Sequence, residues 1–239
     1  MYWAIVGSYY SFHFYHLAKE RELAATQLRV TLTESRLRAL RAQLNPHFLF
    51  NALNAISVLA MHGEQKAVVS TIAQLGELLR VSLDEELPER VPLAAELRFL
   101  DGYLDIQRVR FADRLTIDQE IDPGTLRALV PSLILQPLVE NAIVHGIAAR
   151  SGAGRVVIRT TRDNGTLRVS VGDTGPGFAW QPERRLRKGI GLTNTRERLS
   201  QLYGSEHRLE CGRGSGGGGF VIVSIPFEEQ PEVVMEVTV

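Results

Sequence analysis

The spacing of apolar positions divides the chain into a first stretch with helical period and a second with strand period. Lys19 to Asn45 contains no Gly or Pro, and Leu23, Val30, Leu37 and Leu44 recur at heptad spacing, with Thr26, Thr33 and Leu40 at the intervening seam position. That line predicts a two-helix coiled coil whose seam the two threonines weaken; the other account is an amphipathic helix lying on its own domain. Pro46 interrupts or kinks this helix, because it lacks an N–H and clashes with the preceding turn. His47 to Ile56 continues as an apolar helix, and His62-Gly63 ends it. Residues 64–83 predict a second helix, antiparallel to the first, with Val68, Ile72, Leu75, Leu79 and Leu83 along one side. Pro88 and Pro92 mark a linker. Leu93 to Arg110 predicts a third helix, with Glu96 in its early turns and Leu97, Leu100 and Leu104 facing inward.

Beyond Phe111 the alternation shortens to two. Leu115 to Ile121 predicts a strand, and Asp122-Pro123-Gly124 a turn. Pro131 is expected to open a helix running to about Gly146. Arg155–Thr161 and Thr166–Val171 predict two strands joined at Asp163-Asn164-Gly165, a hairpin signal. A Gly-rich basic loop follows from Gly172 to Lys188, then a helix from about Leu192 to Tyr203. Leu209 and Phe220 to Phe227 supply further strands, with glycines 212, 214 and 216–219 read as a flexible hairpin loop between them. The predicted layout is α+β. Residues 1–18 are an aromatic segment, 19–90 a helical region, 91–228 a two-layer α/β domain with its leading helix, and 229–239 a loose tail. Leu87–Pro92 and the helix after it read as hinge and lever.

Composition adds boundaries. The chain has 239 residues, 44% hydrophobic and 23% charged, with Lys plus Arg and Asp plus Glu both at 27. A folded globular protein without a strongly basic nucleic-acid surface fits those values. A single cysteine, Cys211, excludes an intrachain disulfide framework and a cysteine-rich zinc site. Residues 1–18 carry no Lys, Arg, Asp or Glu and hold Tyr2, Trp3, Tyr9, Tyr10, Phe12, Phe14 and Tyr15. A membrane span needs about 20 mostly apolar residues, and Ser8, Ser11, His13 and His16 interrupt this one. It reads either as the end of a membrane helix or as a buried or dimer-forming helix.

Three clusters carry candidate chemistry. In Leu135 to Gly146, Asn141 and His145 share a helix face while Val139 and Ile143 fall on the buried side; an Asn oxygen suits magnesium bound to phosphates, and Glu140 can orient a water or tune the ion. Val171-Gly172-Asp173-Thr174-Gly175-Pro176-Gly177 follows a strand, and its alternate glycines let the backbone pass close to a planar ligand, with Asp173 placed to accept from the exocyclic amine of adenine. Lys188-Gly189-Ile190-Gly191-Leu192-Thr193-Asn194 precedes a helix, where backbone amides can meet phosphate oxygens. Each has a plain account when taken singly: a solvated helix face, an Asp-Gly turn, a basic loop. Their order and contexts point to one nucleotide site.

At these residues the chain resembles the sensor histidine kinases of the LytS/YehU type, in which a histidine-bearing helical region joins an ATPase domain of the gyrase–chaperone–kinase–mismatch-repair superfamily. Ala42-Gln43-Leu44-Asn45-Pro46-His47-Phe48-Leu49-Phe50-Asn51-Ala52-Leu53-Asn54 is similar to that family's phosphoacceptor segment. Leu135–Gly146 resembles its asparagine box, Asp173–Gly177 its adenine box, and Gly189-Ile190-Gly191-Leu192-Thr193-Asn194-Thr195-Arg196-Glu197-Arg198-Leu199 its last glycine box. The resemblance spans residues 35 to 227.

The resemblance implies a two-layer Bergerat-type ATPase fold, ATP and Mg²⁺ as cofactors, and His47 as acceptor of the γ-phosphoryl group. It implies that Asn141 holds Mg²⁺, that Asp173 reads adenine, and that Gly175, Gly177, Gly189, Gly191 and Leu192 shape pocket and lid, with His145 and Lys188 as phosphate contacts. Glu140 is a candidate base; Phe48 stands where many histidine kinases carry an acid. The implied partners are a second copy of the chain and a response regulator, one type of which bears a LytTR DNA-binding domain, with no direct nucleic-acid contact. The implied location is the cytoplasmic face of the bacterial inner membrane. Two other accounts share these residues: an ATPase or serine kinase of the superfamily, and a nucleotide-binding dimeric regulator in which His47 is structural.

Overall fold

The structure, a computed structural model, describes residues 19, 46–84, 86–148, 152–175, 190–214 and 217–230. The aromatic segment 1–18 and the heptad line up to Leu44 lie outside them. No helix among the described residues is long and apolar enough to cross a membrane. The chain divides into two units between Leu49 and Phe50, the second holding every element from Gln65 onward.

Helix α1, Pro46–Met61, ends where the sequence places its stop. Gly63 takes φ 77°, a conformation costly to a residue with a Cβ. There the N–H of Gly63 donates to the carbonyl of Ala60 at 3.1 Å and that of Glu64 to Leu59 at 3.0 Å, closing the helix with a reversed turn. Helix α2, Gln65–Ser82, follows. Its buried stripe is Thr71, Leu75 and Leu78, whereas Ile72 and Leu83 of the expected stripe are exposed. The rotation follows from the partner. Helix α2 packs on helix α3, Leu93–Phe111, where Gln74 donates to Asp105 at 3.1 Å and Leu78 lies over Gly102.

The rest is a sheet of five strands with helices on one face. Strand β1 is Arg90–Pro92, β2 Leu115–Ile121, β3 Leu129–Pro131, β4 Gly154–Asp163, β5 Thr166–Asp173, β6 Arg208–Arg213 and β7 Gly219–Pro226. The large sheet runs β2-β4-β5-β7-β6; β2 is parallel to β4 and the other pairs are antiparallel. Asn164 and Gly165 both take positive φ at the β4–β5 turn, the geometry that matches the twist of the paired strands. Strand periodicity then fixes which side chains face the helices. Ile158, Val171 and Val221 form one cross-strand row, Thr160, Val169 and Val223 the next, and all are buried. Leu97, Leu100 and Leu104 of α3 are buried as their spacing predicts, together with Leu135, Leu138, Val139, Ile143 and Leu199.

Four expectations are revised. Pro131 does not open a helix: it ends β3, the chain turns at Leu133 with φ 57°, and helix α4 covers only Leu135–Asn141 before widening into a π turn over Ala142–Ile147. The linker is not a free hinge at Arg90–Pro92, because β1 pairs antiparallel with β3 and Leu93 N–H donates to Ala128 at 2.8 Å. The glycines after Cys211 are not simply a loop, for Gly212 lies in β6 and Gly219 in β7. The tail begins ordered: Glu229 bridges Ala128, and Gln230 N–H donates to Arg127 at 3.3 Å.

The fully enclosed Leu100 should be the costlier kind of site. Leu100→Ala is expected to lower unfolding free energy by about 2–5 kcal/mol in urea titrations, since a cavity adds to the lost transfer energy.

Candidate functional site

The parity of β5 decides where its last carboxylate lies. Leu167, Val169 and Val171 face the helices, so Asp173, two residues further, falls on the same side at the strand's end, opposite Val156. The following residue leaves the ladder: Thr174 N–H donates to Arg155 O at 3.0 Å, and its hydroxyl oxygen accepts from Arg155 N–H at 2.9 Å. Asp173 Oδ1 accepts from Gly175 N–H at 2.8 Å, and Gly219 N–H also donates to the carboxylate. Partial burial pushes its carboxyl above the ordinary aspartate value of 3.8, against the pull of those two amides and of nearby His145.

Two glycines make room for this carboxylate, and a third makes room for the backbone of the same residue. A Cβ on Gly146, in the π turn, would stand 2.5 Å from Asp173 Cγ. One on Gly175 would stand 2.4 Å from the Cα of Gly146, and one on Gly218 only 1.6 Å from the carbonyl oxygen of Asp173. The end of β5, the π turn and the residue leading into β7 therefore meet closely. Gly146 and Gly218 are the residues that sequence reasoning missed. A glycine inside a helical run was the available signal for the first, since glycine there is costly without a steric reason.

The same turn carries the other candidates. Asn141 ends α4 half-buried, and His145 is exposed on the π turn beside Asp173. A π turn interrupts α-helical spacing, a feature often found at functional sites. Glu140, half-buried, lies near α3: its charge adds to the burial that raises the Tyr103 phenol. Helix α5, Ile190–Tyr203, packs on α4 with Leu192 buried and Thr195 donating to the carbonyl of Gly191 at 2.9 Å. Among the described residues a Cβ on Gly191 would meet nothing closer than Pro137 at 3.6 Å, so their packing does not demand a glycine there. Gly177, Lys188 and Gly189 lie outside the described residues. His47 lies in the first turn of α1, and its side chain is outside them too.

The donor set suits a nucleotide. A carboxylate held by two amides on a side-chain-free floor can accept from a flat, amine-bearing ring. Among the described residues no group of three or more His, Cys, Asp or Glu could hold a metal ion. A hard divalent ion at Asn141 would then take most of its oxygens from phosphates and water, as magnesium does in phosphate sites.

The histidine kinase family model matches residues 35–115, and the model of histidine kinase-, DNA gyrase B- and HSP90-like ATPases matches residues 128–229. The chain belongs to the histidine kinases. Among family members it is 38% identical to the sensor histidine kinase YpdA of Escherichia coli over 79% of this chain and 34% of that protein. With the sensor histidine kinase YesM of Bacillus subtilis it shares 35% over 82% of this chain and 34% of that protein. With the sensor protein LytS of Oceanobacillus iheyensis it shares 31% over 89% and 38%. The chain thus spans about a third of the length of these curated relatives. The histidine kinase domain of a blue-light activated kinase from Erythrobacter litoralis aligns with a TM-score of 0.48 at 22% identity, over 72% of this chain and 85% of that one.

Two outcomes are expected. Gly146→Ala should weaken ADP binding by about tenfold or more in calorimetric titration, because the added methyl overlaps the Asp173 carboxylate. ADP affinity should also fall on the acid side at a pH above the 3.8 of an ordinary aspartate, since a carboxyl with raised pKa takes its proton earlier as pH drops; Asp173→Asn should abolish that limb.

Proposed function

We propose that this chain is the kinase portion of a sensor histidine kinase: it binds ATP, transfers the γ-phosphoryl group to His47, and passes it to an aspartate of a response regulator. The observation that carries the reading is the Asp173 carboxylate on its floor of Gly146 and Gly175. It stands at the end of the strand named by the adenine-box resemblance, inside residues matched by the ATPase family model. The names of the relatives, sensor histidine kinase and sensor protein LytS, support the same activity.

In this reading Asp173 accepts from the adenine amine, and Gly175, Gly177, Gly189, Gly191 and Leu192 line the pocket and lid. His145 and Lys188 meet the phosphates. Asn141 holds Mg²⁺, which when bound offsets the charge of the phosphate oxygens. A neutral imidazole nitrogen of His47 attacks the γ-phosphorus in line. The new N–P bond forms as the bond to the β-phosphate oxygen breaks, ADP leaves, and the imidazole proton passes to a base, the role given to Glu140. A histidine with an ordinary pKa retains a neutral, nucleophilic fraction near pH 7.

The partners follow from the same reading. Helices α1 and α2 leave Phe50, Leu53, Val58, Met61, Val69 and Ile72 exposed, apolar area that a second copy of the chain would cover. The regulator is of the LytTR-bearing type. The membrane is reached through residues 1–18 or through spans preceding them, with the kinase portion at the cytoplasmic face of the inner membrane.

Incubation with γ-³²P-labelled ATP and Mg²⁺ tests the assignment. The expected product is acid-labile, alkali-stable label that is absent from His47→Gln. Label that persists in the variant places the phosphoacceptor elsewhere; acid-stable label points to a serine kinase of the same superfamily.

A further inference from the structure

The turn before α4 is held from both sides, by Glu96 of α3, outside the nucleotide motifs, and by Arg198 near the end of the last glycine box. Glu96, on α3, is 3% exposed and accepts from the N–H groups of Leu133 at 2.5 Å, Ile134 at 3.0 Å and Leu135 at 3.3 Å. Leu133 sits at φ 57°, a left-handed conformation that a leucine adopts only when its surroundings impose it. From the other side, half-buried Arg198 of α5 donates to the carbonyl of Ser132 and, at 3.2 Å, to that of Glu89 in the linker. Ser132 itself donates through its hydroxyl to Pro88 and through its N–H to Glu89 at 3.2 Å. Backbone groups that a helix start leaves without intrahelical partners are thus taken up by one carboxylate, and charge-assisted bonds of this kind are the strong ones. The negative charge also lies where the helix dipole favours it.

We propose that Glu96 and Arg198 are positioning residues for the phosphoryl-transfer site: together they clamp Ser132–Leu135, set where α4 begins, and so place Asn141 for the metal–phosphate end of the nucleotide. Both bond backbone groups in the hydrogen bonds described, so each acts through the turn it holds. Helix α4 is only seven residues long, so an error at its start reaches Asn141 within two turns, whereas Asp173 belongs to a strand held by the sheet. Arg198 extends the clamp to the linker, because its guanidinium joins Glu89 and Ser132 to α5, the helix that carries the last glycine box.

The inference rests on the nucleotide reading above, and the test separates the two. ADP binding to the full chain is measured with and without Mg²⁺ for the wild type, Glu96→Gln, Arg198→Met and Asp173→Asn, with hydrogen exchange followed at Leu133–Leu135. A glutamine at 96 would turn an amide donor toward backbone N–H groups that need an acceptor. Glu96→Gln is expected to lose about tenfold of the affinity gained from Mg²⁺ while Mg²⁺-free affinity stays within about twofold, and the three amides should exchange faster. Arg198→Met, which keeps the aliphatic stem, should show the same selective loss at about threefold, and it decides the matter if Glu96→Gln does not fold. An unchanged Mg²⁺ increment in the folded variants, or an equal loss with and without Mg²⁺, overturns the positioning role. Undiminished ADP binding by Asp173→Asn overturns the nucleotide reading instead.

Discussion

The constraint on which the candidate site depends is the backbone contact between the π turn and the residues that leave β5. Gly146 and Gly175 meet with no space for a side chain on either, and the Asp173 carboxylate fills the gap between them. Among the described candidates, Asn141, His145 and Asp173 are carried by the elements that meet there. The sheet delivers Asp173 through strand parity, α4 delivers Asn141 to its edge, and the π turn brings His145 alongside. Close approach of three backbone segments leaves a floor rather than a wall of side chains, the shape a planar ring needs.

The turn ahead of α4 is the second requirement. A leucine at positive φ, followed by buried amides, is a costly arrangement in isolation. Glu96 offsets that cost with a carboxylate that is itself buried. Burial pushes its carboxyl above the usual glutamate range, while the amides of Leu133, Leu135 and Ile134 and the charge of Arg198 pull it back. A buried acid with this many donors is a structural commitment, and it joins α3 to α4 where apolar packing alone would let one slide on the other. The paired strands β1 and β3, with Arg90 bonded to Glu228 at 2.5 Å, tie the linker to the same region. Linker, asparagine helix and last glycine-box helix form a connected assembly.

Much of this was legible in the residues. The alternating runs at Leu115–Ile121 and Thr166–Val171 became strands because local period and β-branched content agree with the fold. Asn164-Gly165 became the hairpin turn because few other pairs accept two positive φ angles. The strings around His47, Asn141, Asp173 and Gly191 named the family, since their chemistry needs those residue types in that order. Strands β1 and β3 were not legible: three residues each carry no period, and they form only because the ladder between them exists. The inward side of α2 is not encoded by spacing, because Ile72 and Leu83 are as apolar as Leu75 and Leu78; the choice belongs to the face of α3.

Taken alone, the sequence determined helices α1, α2, α3 and α5, the five strands of the large sheet, the parity that turns Asp173 toward the helices, and the family, because each depends on local spacing and residue type. Tertiary structure decided that Pro131 ends a strand, that Gly146 and Gly218 must lack side chains, and that Glu96 is buried beneath three amides. Those facts rest on contacts between segments far apart in the chain. No spacing rule within one segment encodes the position of another, so they emerge only when sheet and helices are packed together.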